Sequence, residues 1–79
     1  MPTVLRINGY RFFFYALDRG ESAHVHVAKG GGEAKLWLEP QLKPKFFHNF
    51  KEKEKREILA ITEDNYHILK EKWDDFFSE

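Results

Sequence analysis

Apolar and polar positions alternate along the first part of the chain as they do in β-strands. Residues 3–7 and 10–15 are two β-prone runs separated by Asn8-Gly9. This dipeptide favours a type I′ hairpin turn, because both central residues of that turn need positive φ. The spacing therefore predicts a tight hairpin. Its expected cross-strand pairs are Ile7 with Tyr10, Arg6 with Arg11, Leu5 with Phe12, and Val4 with Phe13.

A second hairpin is predicted from residues 24–28 and 33–38, which flank the three glycines at 30–32. The residues after these glycines alternate as a strand, so no helix N-terminus follows to receive a phosphate. The glycines are therefore interpreted as a hairpin turn. The stretch 18–21 is predicted to be the turn that joins the two hairpins, and residues 40–49, with Pro40 and Pro44, a connecting loop.

Beyond residue 48 the apolar spacing becomes helical. Asn49 and Glu52 have the separation of a capping box, with Asn in place of Ser or Thr. At 100° per residue the following apolar positions fall within one stripe of about 100°, which predicts a single long helix over 50–77, with a bend near 62–65 left open. The stripe consists of Ile58, Leu59, Thr62, Tyr66, Leu69, Trp73, Phe76 and Phe77.

These elements predict an α+β fold: a small antiparallel sheet of about four strands in two hairpins, with one face covered by a long C-terminal helix. Residues 1–79 are expected to form a single domain, with hairpins over 1–39, a loop over 40–49 and the helix over 50–77. The absence of cysteine excludes disulfides and thiolate zinc sites. Without an apolar run of about 20 residues or a signal sequence, we expect a cytoplasmic protein that is not bound to a membrane.

Strand alternation also sorts the side chains between the two faces of the sheet. One face is apolar and is expected to meet the helix. The helix is expected to leave the opposite face uncovered, and the sequence leaves open whether that face is exposed; we call it the basic-aromatic face. It contains Arg6, Arg11, Phe13, Tyr15, His24, His26, Lys35 and Trp37.

Cations interleaved with aromatic rings suit phosphate contacts and base stacking on RNA. A patch of exposed rings equally suits a protein partner. A purely structural alternative is that loop 40–50, which has three phenylalanines of its own to bury, covers Phe13 and Trp37.

Formal net charge is zero, but the charges are unevenly distributed. Residues 1–47 carry seven basic and four acidic side chains, a balance of +3, whereas residues 48–79 carry six basic and nine acidic side chains, a balance of −3. The mild asymmetry and a pI near 6.9 argue against avid RNA binding, in which phosphate neutralisation dominates the affinity.

His24 and His26 are two residues apart on a predicted strand, so both imidazoles point to the same side. As a metal pair they would need a further ligand, from His48, Glu33 or a carboxylate of the acidic half. As catalytic residues they would act as general acid and base in metal-independent RNA cleavage. Arg6, Arg11 and Lys35 would then hold the phosphate. They can also be two polar strand positions with local hydrogen bonds.

Several blocks together resemble the bacterial family of domains of unknown function numbered 4160 (DUF4160). The resemblance covers nearly the whole chain, although the family's usual Glu-Pro-Pro before the histidines is Glu21-Ser22-Ala23 here. It implies a small prokaryotic protein, often encoded beside a second small protein of the family numbered 2442 (DUF2442), in an arrangement like a toxin–antitoxin or regulatory pair. The blocks are 1–4, 11–15, 24–27, 30–38 and 73–77.

The leading functional hypothesis is therefore a component of such a two-gene module. It would use the basic-aromatic face to bind RNA or the neighbour-encoded protein, with RNA cleavage by His24 or His26 as an open extension. The alternatives are a non-catalytic protein-interaction module and a metal-binding domain through the two histidines. No cofactor is expected. The sequence leaves open whether the protein is an enzyme, and also its oligomeric state.

Overall fold

The computed structural model describes residues 3–78 and has an α+β fold, as predicted. Five antiparallel strands lie in the sheet in the order in which they follow along the chain. A short 3₁₀ turn, Ala16–Asp18, lies between the second and third strands. The strands are β1 (Thr3–Ile7), β2 (Tyr10–Phe13), β3 (His24–Lys29), β4 (Gly32–Trp37) and β5 (Lys43–His48), and the helices are α1 (Glu52–Asp64) and α2 (Tyr66–Phe77).

The first hairpin has the predicted tight turn, since Asn8 and Gly9 both have positive φ, 53° and 83°. Three of the four predicted pairs are confirmed: Ile7 with Tyr10, Arg6 with Arg11, and Leu5 with Phe12. The fourth is wrong, because the register shifts after Leu5 and Phe13 pairs with Thr3. This irregularity turns Val4 towards the core, against which it packs.

The prediction of a loop over 40–49 is wrong for most of its length, because Lys43–His48 forms β5 and pairs with β4. The sheet therefore has five strands instead of about four. Pro44 is accommodated because β5 is an edge strand, where a residue without an N–H costs no ladder hydrogen bond on the open side. The register shift between Lys35 and Leu36 lies beside it.

The predicted helix over 50–77 is two helices that meet at Asn65. Asn65 is the C-cap residue of α1, with φ −112° and ψ 18°, and its backbone N–H and side-chain Nδ2 both donate to the carbonyl of Ile61, at 3.1 and 2.8 Å. Helix α2 then begins with the bond from the Leu69 N–H to the Asn65 carbonyl. The break lies within the stretch where a bend was left open, and the apolar stripe continues across it.

The start of α1 also differs from the prediction. Lys51 is the N-cap residue, and its backbone N–H donates to the Glu54 carboxylate at 2.8 Å. The capping-box spacing therefore occurs two residues later than the predicted pair of Asn49 and Glu52. Asn49 instead has a φ of 59° and donates from Nδ2 to the Gly31 carbonyl at 3.2 Å, which ties the end of β5 to the glycine turn.

The apolar face of the sheet is confirmed as the core. Eight of its side chains are at most 1% exposed, and the helices pack against them through Ile58, Ile61, Leu69 and Trp73. At the rim, the Tyr10 hydroxyl donates to the Glu57 carboxylate at 2.7 Å. The eight buried side chains of the sheet face are Tyr10, Phe12, Phe14, Val25, Val27, Ala34, Leu36 and Leu38.

Candidate functional site

The basic-aromatic face, whose exposure the sequence left open, is only partly open. Phe13, His24 and His26 are buried, with exposed fractions of 1%, 0% and 7%. The segment between β2 and β3 lies over this face, with the Asp18 carboxylate against both histidines and the Tyr15 ring against Phe13 and His26. The cover therefore comes from the predicted turn between the hairpins and, over His24, from Trp73 of α2, whose ring centroid lies 5.0 Å from that of His24.

Local hydrogen bonds hold the covering turn in place. The Asp18 N–H donates to the Tyr15 carbonyl at 3.0 Å, and the Asp18 Oδ2 accepts from the Tyr15 N–H at 3.1 Å. The chain then reverses at Gly20, whose φ of 94° favours glycine. The Asp18 carboxylate is thus held over the sheet by the backbone N–H of Tyr15, three residues earlier.

The carboxylate of Asp18 lies between the two imidazoles. Its Oδ2 is 3.0 Å from the Nε2 of His24 and 3.0 Å from the Nε2 of His26. One ligand-type atom from each of the three residues lies within 4.8 Å of the others, and all three residues are buried. We call Asp18, His24 and His26 the His–Asp cluster.

The hydrogen bonds define which ring nitrogens carry protons. The Nδ1 of His24 lies 2.8 Å from the Ser22 carbonyl, and since a carbonyl only accepts, this nitrogen donates. The Nε2 of His26 donates to the Asp18 carboxylate, because a carboxylate oxygen also only accepts. The Nε2 of His24 is buried and has no hydrogen-bond partner among the described residues, although Asp18 lies 3.0 Å away.

His26 lies in an aromatic environment. Its ring stacks on Phe13 with 5.5 Å between centroids and meets the edge of Tyr15 at 4.5 Å. Burial lowers the pKa of His26, and the neighbouring Asp18 carboxylate opposes that effect. Burial also raises the pKa of Tyr15, whose hydroxyl donates to the Glu33 carboxylate at 3.3 Å. The ring of His26 is therefore favoured in its neutral form.

The third member of the cluster was missed by the sequence analysis. The predicted further ligands were His48, Glu33 or a carboxylate of the acidic half, whereas the carboxylate present is Asp18 of the basic half. His48 and Glu33 face each other across β4 and β5 and are not part of the cluster. The local sequence signal that was available is the Asp18-Arg19-Gly20 turn itself.

The cations of the basic-aromatic face lie around the buried part. Arg6 is exposed, and Arg11 lies over the Phe13 ring at 4.4 Å and donates to the Thr3 hydroxyl at 3.4 Å. Lys35 pairs with Glu21 at 3.1 Å and lies over the Trp37 ring at 4.7 Å. These side chains are therefore anchored by neighbours, except for Arg6, which has no carboxylate within ion-pair distance among residues 3–78.

Strand β5 extends this face in a way that the sequence analysis did not predict. Phe46 is paired with Lys35, and Lys43 with Trp37, so each pair shares one side of the sheet. Phe46 is 42% exposed. We call Lys35, Trp37, Lys43 and Phe46 the open strip. Beside it lies a cavity of about 320 Å³, lined by Ser22, Trp37, Glu39, Pro40, Gln41 and Lys43.

The fold and the site define a small α+β domain with a buried His–Asp cluster under one turn and an open strip on the last two strands. In the part of the chain that the structure describes, no helix is long and apolar enough to cross a membrane. The model of a protein family described as "Domain of unknown function (DUF4160)" matches residues 9–74, and the chain belongs to this family. Neither a curated protein nor a solved structure matches the chain.

Proposed function

We propose that this protein is the binding component of a cytoplasmic two-gene module, of the toxin–antitoxin-like or regulatory kind, and that it docks the neighbour-encoded protein through the open strip. The observation that carries the proposal is the pairing of Lys35 with Phe46 and of Trp37 with Lys43 on one side of the sheet. Exposed aromatic rings are typical of protein-binding surfaces.

The shape and charge of the strip support this role. The 42% exposure of Phe46 leaves an apolar side chain unburied, and the cavity beside Trp37 offers a recess for a partner side chain. Within residues 3–78 no carboxylate lies within ion-pair distance of Lys43. The strip therefore favours a partner segment with an apolar anchor and an acidic residue that can pair with Lys43.

Burial of the two histidines argues against RNA cleavage. A general acid or base must come within hydrogen-bond distance of the proton that it transfers. The side chain of His24 is fully buried, and that of His26 is 9% exposed with its Nε2 engaged by Asp18. RNA binding without cleavage remains an outcome that the following experiment separates from protein docking.

The test is calorimetric titration with the product of the adjacent gene and, separately, with a single-stranded RNA oligonucleotide. Phe46→Ala removes the exposed ring of the strip, and Ile68→Ala is its matched control, since Ile68 is 45% exposed on α2. We expect Phe46→Ala to weaken protein binding roughly tenfold or more, as for a residue worth at least about 1.4 kcal/mol. Ile68→Ala should leave it within about twofold.

The two arms of the titration also differ in salt dependence. Docking through an apolar anchor is expected to change little with salt, whereas binding through phosphates weakens steeply. The proposal is refuted if the adjacent gene product does not bind, or if it binds equally well to the wild type and to Phe46→Ala. Steeply salt-dependent RNA binding that Phe46→Ala weakens would assign the strip to RNA.

A further inference from the structure

The His–Asp cluster contains an electrostatic conflict that its own hydrogen bonds do not resolve. The Nδ1 proton of His24 is held by the Ser22 carbonyl at 2.8 Å, so in the neutral ring Nε2 carries a lone pair. The Asp18 Oδ2 lies 3.0 Å from this nitrogen without a hydrogen bond between them, and two acceptors at this distance repel each other. A cation between them would turn the repulsion into attraction.

A proton on Nε2 is the simplest such cation, but the geometry does not suit it. The N–O distance of 3.0 Å is short enough for a hydrogen bond, yet Nε2 of His24 forms none with the described residues. The arrangement of Nδ1–H on a backbone carbonyl with Nε2 free is the usual one for a metal-ligating histidine.

We propose that Asp18, His24 and His26 form a binding site for a divalent transition-metal ion of the Zn²⁺ type. Two imidazole nitrogens and one carboxylate oxygen suit Zn²⁺, Co²⁺ or Ni²⁺, and they do not suit Ca²⁺ or Mg²⁺, which prefer oxygen ligands. The site is independent of the open strip and of any partner that docks there.

The spacing of the ligand atoms is close to what such an ion requires. Metal–ligand bonds of about 2.0–2.1 Å at tetrahedral angles place neighbouring ligand atoms roughly 3.3 Å apart. The Asp18 oxygen already lies 3.0 Å from each Nε2, and all three atoms lie within 4.8 Å of one another. Small rotations of the two imidazole rings would bring the three ligand atoms to the spacing that the ion requires.

Binding of the ion changes the tautomer of His26. The Nε2 proton, which is now donated to Asp18, is replaced by a proton on Nδ1 of the same ring, so the ring stays neutral and the freed Nε2 lone pair binds the metal. The carboxylates of Glu21, 4.0 Å from the His24 Nδ1, and of Glu33, bound by Tyr15, add negative charge around the site. With side chains 10% and 9% exposed, Asp18 and His26 leave an edge at which water can be the fourth ligand.

The consequence for the fold is a clamp between two segments. Asp18 comes from the covering turn, whereas His24 and His26 come from β3, so one ion fastens the turn to the sheet. Because the ion binds the folded form, it raises the melting temperature. For a domain of this size, free ion at 100 times its Kd should raise Tm by roughly 10–20 °C.

The experiment uses the untagged protein, stripped with a chelator, and titrates Zn²⁺ and then Co²⁺. The double variant His48→Ala/His67→Ala removes the two exposed histidines outside the cluster. We expect it to keep one-to-one binding and the full Tm rise. Asp18→Asn keeps the size of the side chain but loses its charge, and it should weaken binding at least tenfold. Visible absorption of bound Co²⁺ reports the coordination directly.

A ¹H–¹⁵N imidazole correlation spectrum of Asp18→Asn shows whether this variant is still folded. The same spectrum follows the Zn²⁺ titration of the double variant. The Nε2 signals of His24 and His26 should shift together at one equivalent in the double variant. The proposal is overturned if no binding or Tm rise occurs at millimolar Zn²⁺. It is also overturned if the double variant His48→Ala/His67→Ala does not bind Zn²⁺, or if a folded Asp18→Asn binds Zn²⁺ as tightly as the wild type.

Discussion

Removal of the Asp18 carboxylate is the perturbation with the best-defined consequence. In the absence of metal, Asp18→Ala takes away the acceptor for the Tyr15 N–H at 3.1 Å and for the His26 Nε2–H at 3.0 Å. Both donors stay in a largely buried setting, because the Asp18 and His26 side chains are 10% and 9% exposed. The covering turn loses its main attachment to the sheet.

The magnitude follows from these two hydrogen bonds. A buried donor that is left without a partner costs about 1–3 kcal/mol, so two of them cost about 2–6 kcal/mol. Two gains offset part of that: a buried carboxylate no longer needs to be desolvated, and the His24 Nε2 no longer faces an anionic oxygen. We therefore expect a net loss of about 2–3 kcal/mol, out of a total stability of roughly 4–12 kcal/mol for this length.

The assay is urea unfolding in the presence of a chelator, followed by the fluorescence of Trp73, which is 7% exposed, and of Trp37. Asp18→Asn keeps one acceptor oxygen and should lose about half as much as Asp18→Ala. Asp74→Ala is the matched control, since Asp74 is exposed on α2, and should stay within about 0.5 kcal/mol. A loss below about 0.5 kcal/mol in Asp18→Ala would show that the carboxylate does not hold the turn.

Two further predictions concern other parts of the fold. Gly32→Ala should destabilise the protein by about 1–3 kcal/mol in chemical denaturation, because the new Cβ would meet the Phe50 ring at 2.7 Å. Gly31→Ala is the control and should be close to neutral, since its Cβ meets nothing within 4 Å. Equal losses in the two variants would contradict the packing. Tyr10→Phe should cost about 1 kcal/mol at pH 7 by removing the bond to Glu57. Burial, chiefly, raises the pKa of Tyr10 above its ordinary value of 10.0, so the unfolded chain loses this proton first and wild-type stability should fall above about pH 10. The difference in unfolding free energy between the wild type and Tyr10→Phe should therefore shrink above about pH 10. A difference that stays constant with pH would contradict the hydrogen bond from Tyr10 to Glu57.

The parts of the fold that the sequence predicts correctly depend on local signals. The Asn8-Gly9 turn sets the register of the first hairpin, and alternation sets the core face of the sheet. Strand β5 escaped prediction because Pro44 and two lysines are typical of a loop, and only an edge position makes them compatible with a strand. The helix break at Asn65 has one side-chain hydrogen bond, to the Ile61 carbonyl, and it leaves the apolar stripe in phase, so the spacing of apolar residues gives no sign of it.

The candidate site shows the same division between local and tertiary information. The spacing of His24 and His26 places both rings on one side of β3, which the structure confirms. Their burial and the arrival of Asp18 depend on how the covering turn folds over the sheet. No periodicity encodes that placement, because a turn of the same composition could equally project into solvent.

The most direct test of the central claim, that the Asp18 carboxylate lies between two buried imidazoles, is a long-range ¹H–¹⁵N spectrum of the four histidines without metal. We predict an Nδ1–H form for His24 and an Nε2–H form for His26, with ring protons protected from exchange. The exposed His48 and His67 serve as internal references. Fast-exchanging, tautomer-averaged rings at His24 and His26, like those references, would contradict the account.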